Sequence, residues 1–350
     1  MSRPLRVAFV HPGDIGTPSG GYAYDRRMIA ELSAAGLEIA ALRLDGGFPV
    51  PTPAQVAAAL ETLAATAPGT VLLADGLALG ALPAAGLAGI GRPLVALCHH
   101  PLALETGLDP QLAQQLWESE RAALSVCDAI IAISPETWRM LRERYDVPAH
   151  RMTLAVPGTE PAARVPADAE PPRLVAVGSL TPRKGYDVLL DALALLDDLA
   201  FSLAIVGTPD LDPATAARIA RRVAAWPRDN IRLLGRLDAA ALERAYAQAD
   251  IMVHPALYEG YGMVLAEAIR RGLPVVCTTG GAAGETVPDG AGLKVPPGDA
   301  PALAAALRRL ITDRELRRSL ADGAFAAGQA LPSWADTAAT IRRVLERVAA

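Results

Sequence analysis

The chain has 350 residues, of which 51% are hydrophobic and 20% charged, so it can fill more than one sizeable core, and disorder is excluded. A net charge of −5 excludes a broadly basic nucleic-acid binder. Three scattered cysteines, Cys98, Cys127 and Cys277, exclude a disulfide framework or a zinc cluster.

The elements alternate. Leu5–His11 is a short apolar strand ending in the Gly/Pro-rich loop Pro12–Gly21, and a helical pattern from Tyr22 to Ala35 stops at Gly36. Glu38–Leu44, Thr70–Ala74, Pro93–Cys98 and Ala129–Ile133 read as strands. Helices are expected at Ala54–Ala65, at Pro110–Val126 and at Pro135–Tyr145, the last capped by Ser134. Val156–Pro172 breaks this rhythm with Pro, Ala and acidic residues in no apolar period, as a linker would. The alternation then restarts. Strands are read at Leu174–Gly178, Ser202–Val206, Ile231–Leu234, Ile251–His254, Pro274–Cys277 and Gly292–Val295. Helices are read at Gly185–Leu196, Pro213–Ala225, Ala239–Gln248 and Gly262–Arg271, and from Pro301 onward. Strands separated by helices imply parallel sheets with right-handed crossovers.

The expected fold is α/β: two doubly wound, Rossmann-like domains facing a central cleft. Residues 1–160 form the first, 161–172 the linker and 173–331 the second. A helix within 332–350 packs back on the first. Ligands of such sheets bind beyond the carboxyl ends of the strands, so the loops just after strands matter most. The start, MSRPLRVAFVHPGD, lacks the apolar region and cleavage site of a signal peptide, and the charge-free run Gly76–Gly91 holds five glycines and Pro83. A cytoplasmic location is expected.

Two loops of the second half carry chemistry. In Tyr258-Glu259-Gly260-Tyr261-Gly262-Met263-Val264-Leu265-Ala266-Glu267, a strand-to-helix loop holds Glu259, and Glu267 lies about one turn into the helix. Side chains lean toward a helix N-terminus, so both carboxylates can reach one cleft. Gly260 and Gly262 let backbone amides approach a ligand, and the free amides of a helix start bind anions. Carboxylates suit sugar hydroxyls and amides suit phosphate, a combination that fits a nucleotide sugar. The other loop, Val177-Gly178-Ser179-Leu180-Thr181-Pro182-Arg183-Lys184-Gly185, sets two cations before a helix. Cations oppose the helix dipole there, which argues for an anion such as a pyrophosphate to offset them. Lys184 and Lys294 are the only lysines, against 31 arginines. Residues 1–170 carry 12 basic and 18 acidic side chains, the remainder 21 and 20. A local positive site in a mildly acidic chain suits a small phosphorylated ligand.

In the first half, His99 and His100 follow a strand, and alternation places one of them toward the cleft; His100 is favoured. Glu105 contacts an acceptor or orients a histidine. A metal is not expected at the histidine pair, because no third ligand is near in sequence. The helix Tyr22–Ala35 has Arg26 and Arg27 but also Asp25 and Glu31, which weighs against attraction to anionic lipid.

The Glu259/Glu267 spacing resembles the E-x7-E motif of retaining glycosyltransferases of the family 4 type. So do Leu234-Gly235-Arg236, Ala249-Asp250-Ile251-Met252-Val253-His254-Pro255, Arg271-Gly272-Leu273-Pro274-Val275-Val276 and Val295-Pro296-Pro297-Gly298-Asp299. The likeness is strongest from Leu174 to Asp299. It implies the GT-B fold, with acceptor bound by the first domain and nucleotide-sugar donor by the second. It also implies transfer of a hexose, from UDP- or GDP-hexose, to a hydroxyl with retention at the anomeric carbon. No metal or other cofactor is implied.

By the same resemblance Glu259 lies near the transferred sugar and Glu267 holds the ribose. Lys184 with Arg183 and the amides of Gly260, Tyr261, Gly262 and Met263 holds the diphosphate. Gly20 and Gly21 face the donor phosphates, Arg236 the base, and Glu285 lies near the donor. His100 stands near the sugar, and His99 and Glu105 on the acceptor side. Ser179 departs from the family's usual arginine: either Arg183 supplies the missing charge or the pyrophosphate is held more weakly. Gly284 replaces the usual proline before Glu285. The expected acceptor is a small molecule, a saccharide or a neutral lipid, with no nucleic acid and at most peripheral membrane contact. The alternatives are a non-catalytic nucleotide-sugar-binding protein and another GT-B enzyme such as a sugar-nucleotide epimerase.

Overall fold

A computed structural model describes residues 5–105 and 107–350; residues 1–4 of the expected first domain, and Thr106, lie outside the described residues. The chain divides into two compact units. Unit 1 runs to Gly158 and includes Pro332–Ala350; unit 2 is Thr159–Leu331.

Unit 1 runs β1 (Arg6–Pro12), α1 (Gly20–Ala34), β2 (Glu38–Leu44), α2 (Pro53–Ala64), β3 (Val71–Asp75), α3 (Gly76–Leu79), α4 (Ala84–Ala88), β4 (Leu94–Cys98), α5 (Pro110–Ser125), β5 (Ala129–Ala132), α6 (Pro135–Arg144) and β6 (Met152–Leu154). Its parallel sheet has the order β2-β1-β3-β4-β5-β6. β3 and β4 are buried at every residue, as strands covered on both faces must be, which is why VLLAD and LVALC read as unbroken apolar runs. The sequence pattern missed α3, α4 and β6, which are three to five residues long and too short for a period to show.

Unit 2 runs β7 (Arg173–Val177), α7 (Tyr186–Ala194), β8 (Ser202–Val206), α8 (Pro213–Ala224), β9 (Ile231–Gly235), α9 (Ala239–Ala247), β10 (Ile251–His254), α10 (Met263–Arg270), β11 (Val275–Thr278), α11 (Ala283–Thr286), β12 (Gly292–Val295), α12 (Ala300–Thr312) and α13 (Arg314–Gln329). The sheet order is β12-β11-β10-β7-β8-β9. The chain starts in the middle, winds outward one way, then returns to wind the other way. The reversal falls between β7 and β10 in unit 2 and between β1 and β3 in unit 1, where loops splay apart and leave room for a ligand.

The stretch read as a linker is stitched onto unit 2. It has no regular structure, but Val165 and Ala167 are buried with Val175 and Leu273. The Val165 N–H donates to the Arg271 carbonyl at 2.8 Å, and the fully buried Asp250 carboxylate accepts from the Ala169 and Arg173 amides at 2.9 Å. Composition reads as a tether, yet two small apolar residues and two acceptors, the Arg271 carbonyl and the Asp250 carboxylate, fix the backbone.

The last helix, α14 (Trp334–Ala349), belongs to unit 1, packed on α1, β3, β4 and β5. A capping box from Ser333 and Asp336 starts it, and Ile341, Val344 and Leu345 are buried. The Trp334 ring stands edge-on to Tyr24 at 5.8 Å, and the Tyr24 hydroxyl donates to the Ala155 carbonyl at 3.0 Å. The two crossings between units lie together: a Cβ on Gly158 would stand 2.3 Å from the Trp334 amide nitrogen, a contact only glycine permits. Among the described residues no helix is long and apolar enough to cross a membrane.

Candidate functional site

In unit 2 the loops after β7 and β10 meet at the reversal point. After β7 the chain makes a short 3-10 turn, Pro182–Lys184, closed by Gly185 at φ +66°. A Cβ at Gly185 would lie 2.1 Å from the Pro255 carbonyl oxygen, so the absence of a side chain is what lets this turn press against the chain leaving β10. The Leu257 amide donates to the Arg183 carbonyl at 2.8 Å, which fastens the two loops.

This brings Lys184 onto Glu259. The Lys184 Nζ donates to Glu259 Oε2, and the His254 Nε2 lies 3.0 Å from the same oxygen. Arg183 stands 3.7 Å from Oε1 and donates to the Tyr258 carbonyl at 2.9 Å. Burial alone would raise the Glu259 carboxyl. The neighbouring Lys184, the His254 hydrogen bond and Arg183 more than offset that and hold it well below the usual carboxylate range. His254 is pulled below its usual value by burial, with Lys184 and Arg183 adding to the effect against Glu259. A neutral imidazole must then carry its proton on Nε2 to donate to the carboxylate.

Gly260 and Tyr261 are buried, and Gly262, at φ +88°, starts α10 with no side-chain cap. Gly185 starts α7 in the same way. Most other helices here are capped by Ser, Thr or Asp side chains, so the two helices that follow the reversal-point strands keep their first amides open to an anion. Met263 is the first residue of α10.

Glu267 lies one turn into α10 with partners of its own. Its Oε2 accepts from the buried Tyr246 hydroxyl at 2.7 Å, and burial raises its pKa, against the lowering pull of Tyr246 and Arg271. Arg271 stacks over the Tyr246 ring at 4.7 Å and pairs with Glu243. The spacing thus gives two carboxylates in one loop-helix segment with different electrostatics. Arg236 and Glu285 are exposed, and Ser179 is half-buried in the turn after β7.

In unit 1 the reversal point gathers residues from far apart in sequence. His99, directly after β4, places Nε2 2.9 Å from Oδ1 of Asp25 in α1. Asp75, the last residue of β3, caps α3 by accepting from Leu77 at 2.9 Å. Burial would lower His99, but the Asp25 carboxylate beside it, with Asp75, pushes it up to about 9. Asp75 is pushed up to about 6 by burial and by Asp25. Gly20 and Gly21 open α1, behind the Ser19 cap, and the Gly21 backbone lies against the His99 ring. His100, a quarter exposed, stands 3.3 Å from Glu105.

Two expectations are corrected here. Asp25 is not a surface charge of α1 but fully buried, so only Arg26, Arg27 and Glu31 weigh on its outer face. Ligating groups do lie near the histidines: Asp25, Asp75 and His99 bring three possible metal-ligand atoms within 4.8 Å of one another. Sequence distance hid them. Of the buried partners, Asp75 and His254 end apolar strands and read as part of that pattern, while Asp25 and Tyr246 lie in mixed helices where nothing local marks them as buried.

Comparison with known proteins fits this geometry. Residues 24–163 match the family model "Glycosyltransferase Family 4", and residues 160–326 match "Glycosyl transferases group 1". The chain belongs to the glycosyltransferases of the family 4 type. A phosphatidyl-myo-inositol mannosyltransferase of Mycobacterium leprae is 39% identical over 175 residues, 48% of this chain and 44% of that protein. A D-inositol 3-phosphate glycosyltransferase of Geodermatophilus obscurus is 30% identical over 217 residues, 56% and 48% respectively. The chain thus matches about half the length of these curated relatives. Among solved structures, sucrose-phosphate synthase from Thermosynechococcus elongatus superimposes with TM-score 0.81 at 22% identity, covering 99% of each chain. Anabaena HepE in complex with UDP and glucose gives 0.77 at 19%, covering 98% of this chain and 99% of that one. These likenesses give the fold: two six-stranded parallel sheets in the GT-B class.

Proposed function

We propose that the protein transfers a hexose from a nucleoside-diphosphate sugar, UDP- or GDP-hexose, to a hydroxyl acceptor with retention at the anomeric carbon. The observation that carries this reading is the meeting of Lys184, Arg183 and Glu259 beside two uncapped helix starts, with Glu267 one turn further on. Cations and open amides suit a diphosphate, whose charge grows as the sugar bond breaks. Glu259, ionised, suits a sugar hydroxyl or the positive charge that develops on the sugar ring. Glu267 suits the ribose. Arg183 beside Glu259 supplies a charge that Ser179 does not. No metal or other cofactor enters this reading. Relatives named for inositol and phosphatidyl-inositol acceptors support an acceptor rich in hydroxyls, free or lipid-linked.

Calorimetry with UDP, GDP, ADP and dTDP tests the reading. One nucleotide should bind clearly more tightly than the others, and Lys184→Ala and Glu267→Ala should each weaken it about tenfold or more. The anomeric proton coupling of the product formed from the matching sugar then reports retention or inversion. Absence of binding by all four nucleotides would sink the donor assignment, and binding without turnover over a broad acceptor panel would leave a binding protein.

A further inference from the structure

We infer that His254 is a positioning residue: its Nε2–H anchors the Glu259 carboxylate when Lys184 and Arg183 turn away to a bound diphosphate. The inference rests on the donor reading above and names a residue that reading does not use.

Among the described residues Glu259 has three charged or polar side-chain partners: Lys184, Arg183 and His254. Two are the cations that a diphosphate would recruit. Both reach from the turn after β7 on long side chains with many rotamers, so their direction is easily changed. His254 differs in kind. It ends a strand, its side chain is 2% exposed, and only two torsions set its ring. The Glu259 backbone is also fixed. Its amide donates to Gly280 at 3.1 Å and its carbonyl accepts from Ala282 at 2.8 Å. What remains free is the direction of the carboxylate, and its donors decide that.

When the cations leave, a carboxylate in so buried a place loses most of its compensation. Without another donor it would take up a proton or swing toward solvent. The His254 Nε2–H, 3.0 Å from Oε2, prevents both. The groups that face Glu259 are Lys184 and Arg183 from the turn, His254 from β10, and Tyr186 from α7, whose own ionisation is suppressed by burial and by Glu259. Among these, His254 is the donor that a phosphate does not compete for, because a neutral imidazole attracts a phosphate far less than an ammonium or guanidinium does.

The test compares His254→Phe, which keeps the volume and loses the donor, with His254→Gln, which returns an N–H near the same place. With the donor sugar selected by calorimetry, His254→Phe should lower kcat about tenfold or more while donor KM stays within about twofold. The acid limb of its pH profile should move upward, and His254→Gln should regain most of both. Equal losses in both variants with an unmoved acid limb would make His254 a packing residue and overturn the inference.

A readout that needs no turnover separates this from failure of the donor reading. In a Lys184→Ala background, which mimics the departed cation, the Glu259 carboxyl carbon is titrated by 13C NMR. Adding His254→Phe should raise its midpoint by about one unit or more; an unchanged midpoint overturns the inference whether or not any nucleotide binds. Should the Phe variants not fold, the 15N spectrum of the otherwise wild-type imidazole answers the same question. An Nε2-protonated tautomer kept when inorganic pyrophosphate is added supports the anchor, and a shift to the Nδ1 tautomer refutes it.

Discussion

Each unit ends its sheet on a histidine–carboxylate pair of nearly the same length, and the two pairs hold opposite charge states. His99 and Asp25 meet at 2.9 Å in unit 1, His254 and Glu259 at 3.0 Å in unit 2. His99 is pushed up to about 9, whereas His254 is pulled below its usual value. The His254 side chain is 2% exposed and that of His99 13%, so the less buried ring carries the raised pKa, but burial lowers both and does not by itself set their opposite directions. The neighbours do. A second acid, Asp75, faces the first pair, and two cations, Lys184 and Arg183, face the second. Thus His99 is an imidazolium that balances surplus acid, while His254 is a neutral donor to a carboxylate that the cations already balance. Hydrogen-bond length says nothing about which of these a pair will be.

The comparison can be broken most forcefully from the unit 2 side. Glu259→Ala removes the acid and leaves Lys184 and Arg183 partly buried without their counter-ion. A loss of about 3–5 kcal/mol is expected, as for other buried pairs cut on one side. Hydrogen exchange should show it in β7 and β10, while β1, β3 and β4 keep their protection. Equal loosening of both sheets would mean that the cations are not locally balanced.

Next in size is the unit 1 counterpart. Asp25→Asn leaves burial to dominate, so His99 should titrate below its ordinary value of 6.5 rather than near 9, as read by imidazole NMR. The sign of the stability effect follows. A raised histidine pKa contributes stability that is full below about pH 6.5 and is lost as pH rises through about 9. Melting curves should therefore show Asp25→Asn destabilised by about 2–3 kcal/mol at pH 6 and by much less at pH 10. A pH-independent deficit would point to packing.

The smallest effect sharpens the contrast within unit 2. Tyr246→Phe removes the hydroxyl that Glu267 accepts from, at a cost of about 1–2 kcal/mol, and should push the raised Glu267 pKa up further. Nucleotide affinity should then fall more at pH 6 than at pH 8. Glu259 and its cations should be untouched, which a carboxyl-carbon titration of both glutamates would show.

What could be read from the sequence follows the distance between partners. Glu259 and Glu267 sit in one loop and helix, and Arg183 and Lys184 in one turn, so residue type and spacing exposed them. Strand and helix alternation was equally plain, because VLLAD and LVALC are apolar throughout and β11 opens right after a Gly-Leu-Pro stop. The sheet orders were not legible, and with them went the Asp25–Asp75–His99 cluster, whose members are 24 to 74 residues apart. His254 was visible but read as the end of a buried strand. Alternation directed attention to His100, while the structure also sets its neighbour His99 against two acids. Val156–Pro172 shows the opposite failure: a composition that suggests slack chain, held down by two buried apolar residues, the Arg271 carbonyl and the buried Asp250 carboxylate.

The contact between Gly158 and Trp334 gives unit 2 the character of a cassette. Unit 1 is written in two pieces of sequence, and Thr159–Leu331 is spliced between them at points where the two strands of chain already touch. On a ribosome, everything unit 2 needs has been made before α14 emerges, so unit 1 must wait, its α1 and β3–β5 faces uncovered, until α14 arrives. The order of completion is thus the reverse of the order of synthesis.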